Sequence, residues 1–198
     1  CGVSDFKTLN YILNHPYPPK FIGFICNFKK SKRYVPFKNL KSLINIDKKN
    51  SIYFVSVLVN PSDEILEKLK ILNFDYYQLY DVNPERTKLI KKKYNKKIIS
   101  ALTIEKLQDV EKYMLYKDIS DIILFDGKGY EKSISFNHSF LNNVSDKVSK
   151  MIAGNIKIDN LPNLKNTDYF IDVSGSLENG EGKKDLQKID FFLNKIKE

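Results

Sequence analysis

Short apolar runs alternate with amphipathic stretches along the whole chain. "FIGFI" (Phe21–Ile25), "SIYFVSVLV" (Ser51–Val59), "YYQLY" (Tyr76–Tyr80), "KIISAL" (Lys97–Leu102), "DIILFD" (Asp121–Asp126), "SKMIAG" (Ser149–Gly154) and "YFIDV" (Tyr169–Val173) are brief and rich in β-branched or aromatic residues. Each reads as a buried strand. The run that enters Cys1 supplies an eighth, and because the sequence opens there without Met, this first strand is expected to begin upstream of Cys1. Between the runs lie apolar residues at helical spacing: Leu40, Leu43 and Ile44; Ile65, Leu69 and Leu72; Leu107, Val110 and Met114; and Leu186, Ile189, Leu193 and Ile196. Pro61 and Pro84 stand where helices begin, the position at which a missing N–H costs least.

Strand and helix units in alternation, with strands apolar on both faces, imply a parallel sheet covered by helices. Eight such units favour closure, so the fold class predicted is α/β, a single-domain (β/α)8 TIM barrel over residues 1–198. An open doubly wound sheet is the rival. It would carry a glycine-rich turn after its first strand, and "CGVSD" is not one. No linker, low-complexity segment or repeat longer than one unit interrupts the pattern.

Composition narrows the function. A content of 42% hydrophobic residues supports a real core, and no apolar stretch is long enough to span a membrane. "CGVSDFKTLN" lacks the regions of a signal peptide, and two cysteines make neither a disulfide framework nor a zinc set, so a cytoplasmic protein is expected. The formal charge of +9 raises the question of nucleic acid. Against it, the lysines are scattered through every segment and only Arg33 and Arg86 are arginine. The densest run, "KLIKKKYNKK" (Lys88–Lys97), reads as the exposed side and end of a helix, where cations suit the dipole.

In a parallel barrel the chemistry lies at the C-terminal ends of the strands. Those ends are Cys1, Cys26 with "NFKKSKRYV", Asn60, Tyr80 and Asp81, Ala101, Asp126, Gly154 with Asn155, and Asp172 to Gly175. They include thiols, carboxylates and one arginine but no histidine; His15 and His138 read as surface or capping residues at helix ends. A metal set or a Ser, His, Asp triad is thereby disfavoured. A thiol and a carboxylate across a barrel mouth suit general base and general acid work on a small substrate. The last two loops, "AGN" (Ala153–Asn155) and "SGSLENG" (Ser174–Gly180), occupy the place where such barrels bind phosphate through backbone N–H groups.

These residues resemble the phosphoribosylanthranilate isomerase family from end to end. "CGV" resembles its K-I-C-G-[IL], "FIGFI...KKSKRYV" its G-F-[IV]-F...S-x-R-x-[VI], "FVSVLVN" its V-G-V-F-V-N, and "QLY" its Q-L-H. Further along, "ILFD" resembles L-L-D, "AGN" stands against A-G-G-L, and "IDVSGSLENGEGKKD" against V-D-[VL]-[SN]-S-G-V-E-x-x-x-G-x-K-D. Order and spacing make the match specific. The resemblance implies an Amadori rearrangement in tryptophan biosynthesis, with no metal or cofactor and a phosphorylated sugar-anthranilate as substrate. It implies Cys1 as base, Asp126 as acid, Arg33 near the anthranilate carboxylate, Asp172 lining the site, and Gly154, Asn155, Ser174, Gly175 and Ser176 around the phosphate.

The sequence departs from that pattern in three loops. After the sixth strand, "GKGYEKSISF" keeps only Gly127 and Gly129 of the family's G-G-T-G-K, with Lys128 or Lys132 as candidate replacements for lost donors. Asn155 replaces the second glycine of A-G-G, Gly175 and Ser176 are exchanged relative to S-G, and Tyr80 replaces a histidine. An isomerase of another sugar phosphate, or a barrel retained for binding or structure, therefore stays open beside the first reading. No exposed apolar helix face announces an oligomer.

Overall fold

A computed structural model describes residues 1–129, 134–163 and 167–197, with no statement made of the side chains of Asn160, Pro162 and Asn163. Seven strands form one parallel sheet in chain order: β1 (Phe21–Ile25), β2 (Tyr53–Val59), β3 (Tyr76–Tyr80), β4 (Lys97–Ile104), β5 (Ile122–Gly127), β6 (Lys150–Ile152) and β7 (Phe170–Ile171). Every run predicted as a strand coincides with or overlaps one of them, and β4 and β5 extend past their runs, to Ile104 and Gly127. Residues 1–3 take the eighth position in the ring. The backbone nitrogen of Cys1 donates to the carbonyl of Val173 at 2.8 Å, and those of Gly2 and Val3 donate to Gly23 at 2.8 and 3.0 Å. The sheet thus curls until its two edge strands are joined through this short segment, as the (β/α)8 reading requires.

Strand alternation decides what faces inward. Tyr53, Val55, Val57 and Val59 of β2, Tyr76 and Tyr80 of β3, Ile99 and Ala101 of β4, Leu124 of β5, Met151 and Ala153 around β6, and Phe170 of β7 pack together as the barrel interior. At its N-terminal end the ring of Phe21 meets those of Tyr53, Tyr76 and Phe170 at centroid distances of 5.7, 5.4 and 5.2 Å. This aromatic layer fills the floor, so polar side chains inside the barrel collect at the C-terminal mouth. Beside Phe21 and Phe170 lies a cavity of about 470 Å³, lined mainly by apolar side chains such as Ile12, Tyr17, Pro18, Leu193 and Ile196.

Helices α1 (Phe6–Asn14), α2 (Phe37–Leu43), α3 (Asp63–Leu69), α4 (Pro84–Tyr94), α5 (Leu107–Glu111) and α6 (Leu186–Lys197) cover the outside. Asp5, Ser62 and Asn83 cap α1, α3 and α4 with side-chain acceptors for otherwise unpaired N–H groups. Pro84 opens α4 as expected, whereas Pro61 stands one residue before the cap of α3. Lys91, Lys92 and Lys93 fill the last turn of α4, and Lys91 and Lys93 pair with Asp121 and Glu67. The basic run is a solvated helix end.

Three features differ from the pattern read along the chain. Of Leu107, Val110 and Met114 only Val110 is buried, because α5 stops after Glu111 and the chain continues as a 3₁₀ turn (Lys112–Leu115). Three residues per turn carry Met114 off the face on which an α-helix would stack it. After β5 and β6 the described connections are 3₁₀ turns (His138–Asn143 and Ile158–Asn163) with no α-helix. His15 does end α1, but it is buried, with Nε2 3.2 Å from Asp190 of α6.

Candidate active site at the barrel mouth

One cleft of about 600 Å³ opens at the C-terminal ends of the strands. Cys1, Arg33, Asp126, Gly154, Asn155, Asp172, Ser174, Gly175 and Ser176 all line it, so the structure brings together the expected acid, base, arginine and phosphate-loop residues. Asp126 is the inward position near the end of β5, and Cys1 sits beyond β6 and β7 in the ring. Asp172 follows β7, with Oδ1 3.6 Å from the nitrogen of Cys1.

The two thiols differ in what surrounds them. Cys26 points away from this cleft into the outer core, its Sγ donates to the carbonyl of Phe24 at 3.1 Å, and burial pushes its pKa up to about 12. A thiol held in that way is inert at neutral pH. Cys1 is partly exposed at the cleft, and Gly23 leaves the room it occupies: a Cβ there would stand 3.1 Å from Cys1 Sγ.

Tyr80 stands beside Asp126 and lines the same cleft. Its hydroxyl donates to Asp126 Oδ2 at 2.9 Å and accepts from Gln78 Nε2 at 3.3 Å. Burial first, and the charge of Asp126 second, raise the Tyr80 pKa well above its ordinary value. Tyr80 is therefore a fixed donor that holds one carboxylate oxygen in place.

Arg33 comes from the long loop between β1 and α2, which Tyr34 ties back to Ile25 in a parallel bridge. Its stem crosses directly over Gly2, where a Cβ would lie 2.6 Å from Arg33 Cδ and φ is +75°. Only glycine fits that approach. The guanidinium donates through Nε to Glu178 Oε1 at 2.5 Å and through one terminal nitrogen to Oε2 at 3.0 Å. Lys184 Nζ reaches the same Oε1 at 2.7 Å and also the carbonyl and hydroxyl of Ser174 at 3.0 and 3.2 Å. The side chains are 12% (Arg33), 7% (Glu178) and 3% (Lys184) exposed, so this is a buried three-member network. Burial opposes charge on Glu178, yet hydrogen bonds from Arg33 and Lys184 outweigh it and hold the carboxyl below its usual range. Burial pulls Lys184 down from the usual lysine value, and Glu178 counters part of that.

Glu178, Lys184 and Gly2 were not selected from the sequence. Glu178 and Lys184 stand inside the stretch that opens with Asp172, but a carboxylate and a lysine in a polar loop look like solvent-exposed residues until the loop is seen folded back on itself. Glu178 and Lys184 form an antiparallel bridge there, while neighbouring Lys183 is exposed.

The loops after the neighbouring strands β6 and β7 both line the cleft. Gly154 has φ +99°, with Gly127 N only 2.9 Å from where a Cβ would be, and Asn155 has φ +53°. Residues Gly175 to Leu177 form a 3₁₀ turn, the Ser174 hydroxyl donates to the carbonyl of Cys1 at 3.0 Å, and the Ser176 hydroxyl is buried without a hydrogen-bond partner among the described residues. Of the two candidate lysines, Lys128 is 61% exposed and pairs with Glu105, while Lys132 lies outside the described residues. Among the described residues no three of His, Cys, Asp and Glu gather as a metal site, and no helix is long and apolar enough to cross a membrane.

A closed parallel α/β barrel with a thiol, a carboxylic acid and an arginine at the C-terminal mouth is the architecture of an enzyme acting on a small anionic substrate. Residues 1–195 match the model of the family described as N-(5'-phosphoribosyl)anthranilate (PRA) isomerase, and the chain belongs to that family. It is 32% identical to N-(5'-phosphoribosyl)anthranilate isomerase of Rhizobium rhizogenes, covering 100% of this chain and 92% of the relative. With the same enzyme of Brucella canis the identity is 30%, over 88% of this chain and 83% of the relative. Among solved structures, phosphoribosyl anthranilate isomerase from Thermotoga maritima superposes with a TM-score of 0.86 at 22% identity, over 100% of this chain and 96% of that one. A phosphoribosyl anthranilate isomerase in complex with reduced 1-(o-carboxyphenylamino)-1-deoxyribulose 5-phosphate gives 0.83 at 21%, with the same coverage.

Proposed function

We propose that this chain catalyses the Amadori rearrangement of N-(5'-phosphoribosyl)anthranilate to 1-(o-carboxyphenylamino)-1-deoxyribulose 5-phosphate, a step of tryptophan biosynthesis in the cytoplasm. The observation that carries the reading is the meeting of Cys1, Asp126 and Arg33 in one cleft with the two loops after β6 and β7. Asp126 donates a proton to the ring oxygen of the ribosyl group, and the ring C–O bond breaks to leave a hydroxyl and a protonated imine. Cys1 as thiolate then removes the proton from the carbon beside that imine, and the enolamine settles as the aminoketose. Proton transfers by positioned groups suffice for this sequence, with no electron leaving the substrate. Tyr80, donating to Oδ2 of Asp126, keeps that carboxyl turned to the mouth.

Arg33 takes the anthranilate carboxylate, for which a planar fork of donors is suited. Phosphate sits between Gly154 with Asn155 on one side and Ser174 to Ser176 on the other. Support for this comes from the positive φ angles of Gly154 and Asn155 and from the Ser176 hydroxyl, which has no partner among the described residues, giving a backbone and a donor open to an anion.

The variants Cys1→Ser and Asp126→Asn test the assignment by steady-state kinetics and binding. Both should fold, bind the reduced product analogue, and lose at least about a hundredfold in kcat, the usual effect of removing a general acid or base. Near-normal turnover in either variant removes that residue from the mechanism.

A further inference from the structure

We propose that Glu178 and Lys184 are positioning residues that balance the charge around Arg33 and so make it a receptor for the substrate's ring carboxylate. The proposal rests on the isomerase reading above and extends it to two residues outside the acid and base. Glu178 takes the side edge of the guanidinium, using Nε and one terminal nitrogen. An arginine has five N–H donors, so the end of the fork retains donors for a ligand while its orientation is fixed.

That pairing alone would work against an anionic ligand. One cation, Arg33, would face two carboxylates, Glu178 and Asp172, both lining the cleft. Lys184 supplies the second positive charge, and Asp172 as well as Glu178 acts on it electrostatically. With Lys184 the four groups sum to zero; without it they sum to minus one. All three protons of Lys184 are directed at protein atoms: Glu178 Oε1, the Ser174 carbonyl and the Ser174 hydroxyl. Lys184 thus acts as a fixed charge behind the wall and does not itself hold the ligand. In a site of low dielectric one unit of charge at this distance is worth more than in water.

A purely structural role would be different in kind. Glu178 and Lys184 also strap the loop after β7, since they pair as an antiparallel bridge and Lys184 Nζ donates to the Ser174 carbonyl at 3.0 Å. Removing either member of a strap harms the site in the same direction. Removing either member of a charge balance shifts affinity for an anion in opposite directions.

The test uses the full chain and two probes: reduced 1-(o-carboxyphenylamino)-1-deoxyribulose 5-phosphate, and its phenylamino counterpart without the ring carboxylate. Affinities are measured by titration calorimetry for the unchanged protein, Lys184→Met, Glu178→Gln and the double variant, each checked for folding by thermal melt. Lys184→Met should weaken the carboxylate probe by about tenfold and the other probe clearly less. Glu178→Gln, whose amide oxygen still accepts from Arg33, should bind the carboxylate probe as tightly or more tightly. The double variant, restored to zero, should return to within about threefold of the unchanged protein. If Lys184→Met cannot be recovered folded, Glu178→Gln and the double variant carry the comparison. Equal losses on both probes in both single variants, with no recovery in the double, would make the network a loop strap and overturn the proposal. Failure of the unchanged protein to bind either probe is a separate result, and it overturns the isomerase reading beneath.

Discussion

Gly2 shows how much one missing Cβ can decide. The opening "CGV" places a thiol at the cleft, and the glycine that follows clears a path for the stem of Arg33, 2.6 Å from where a Cβ would be. Gly2→Ala should displace the guanidinium and raise KM roughly tenfold, equivalent to about 1.4 kcal/mol of binding, with less effect on kcat. Kinetics with the natural substrate would show it, and an unchanged KM would mean that Arg33 does not hold the ligand. The pH dependence of Glu178 follows from its depressed pKa. A carboxyl lowered on folding stabilises the fold above its unfolded value of about 4.3, and that contribution is lost as pH falls through the lower folded value. Melting temperatures taken from pH 5 down to about 3 should fall more steeply for the unchanged protein than for Glu178→Gln. At this scale Cys1 and Asp126 were legible as a thiol and a carboxylate at strand ends of a parallel barrel, and Arg33 as one of only two arginines, with the family resemblance supplying their roles. Glu178 and Lys184 were not, because nothing in a polar loop reveals which charges fold inward.

The elements were legible wherever periodicity was long and bounded. β1 and β3 match the apolar runs "FIGFI" and "YYQLY" end for end. Periodicity failed at α5, where a single turn and a change to 3₁₀ geometry leave Leu107 and Met114 exposed. It also gave no warning that β6 and β7 shorten to three and two residues. Loops lined with ligand-facing groups do not need regular backbone, and both strands lead into the proposed phosphate loops. Helix α1 illustrates a boundary written in the chain: Asp5 accepts from the Thr8 N–H and from the Thr8 hydroxyl, both at 2.8 Å. Asp5→Ala should cost about 1 kcal/mol, seen as a melting temperature lower by roughly 2–4 °C. A larger loss would mean that α1 also fixes the neighbouring residues 1–3 in the seam.

Across the whole molecule the barrel does two things for the site. Its aromatic floor fills one end, and its closure through residues 1–3 sets the thiol between the first and last strands, where it meets Asp172 and the Ser174 loop. That closure was foreseeable from eight units counted along the chain, while the bond from Cys1 to Val173 was not, because pairing between residues so far apart in the chain leaves no local trace. The central claim is catalysis of one rearrangement by this assembled mouth. Its most direct test is steady-state turnover of N-(5'-phosphoribosyl)anthranilate by the purified chain, compared with Asp126→Asn, whose affinity for the reduced product analogue is measured in a separate titration. The prediction is formation of the aminoketose by the unchanged protein and its near abolition in the variant despite retained binding; a folded, analogue-binding protein that forms no product would contradict the account.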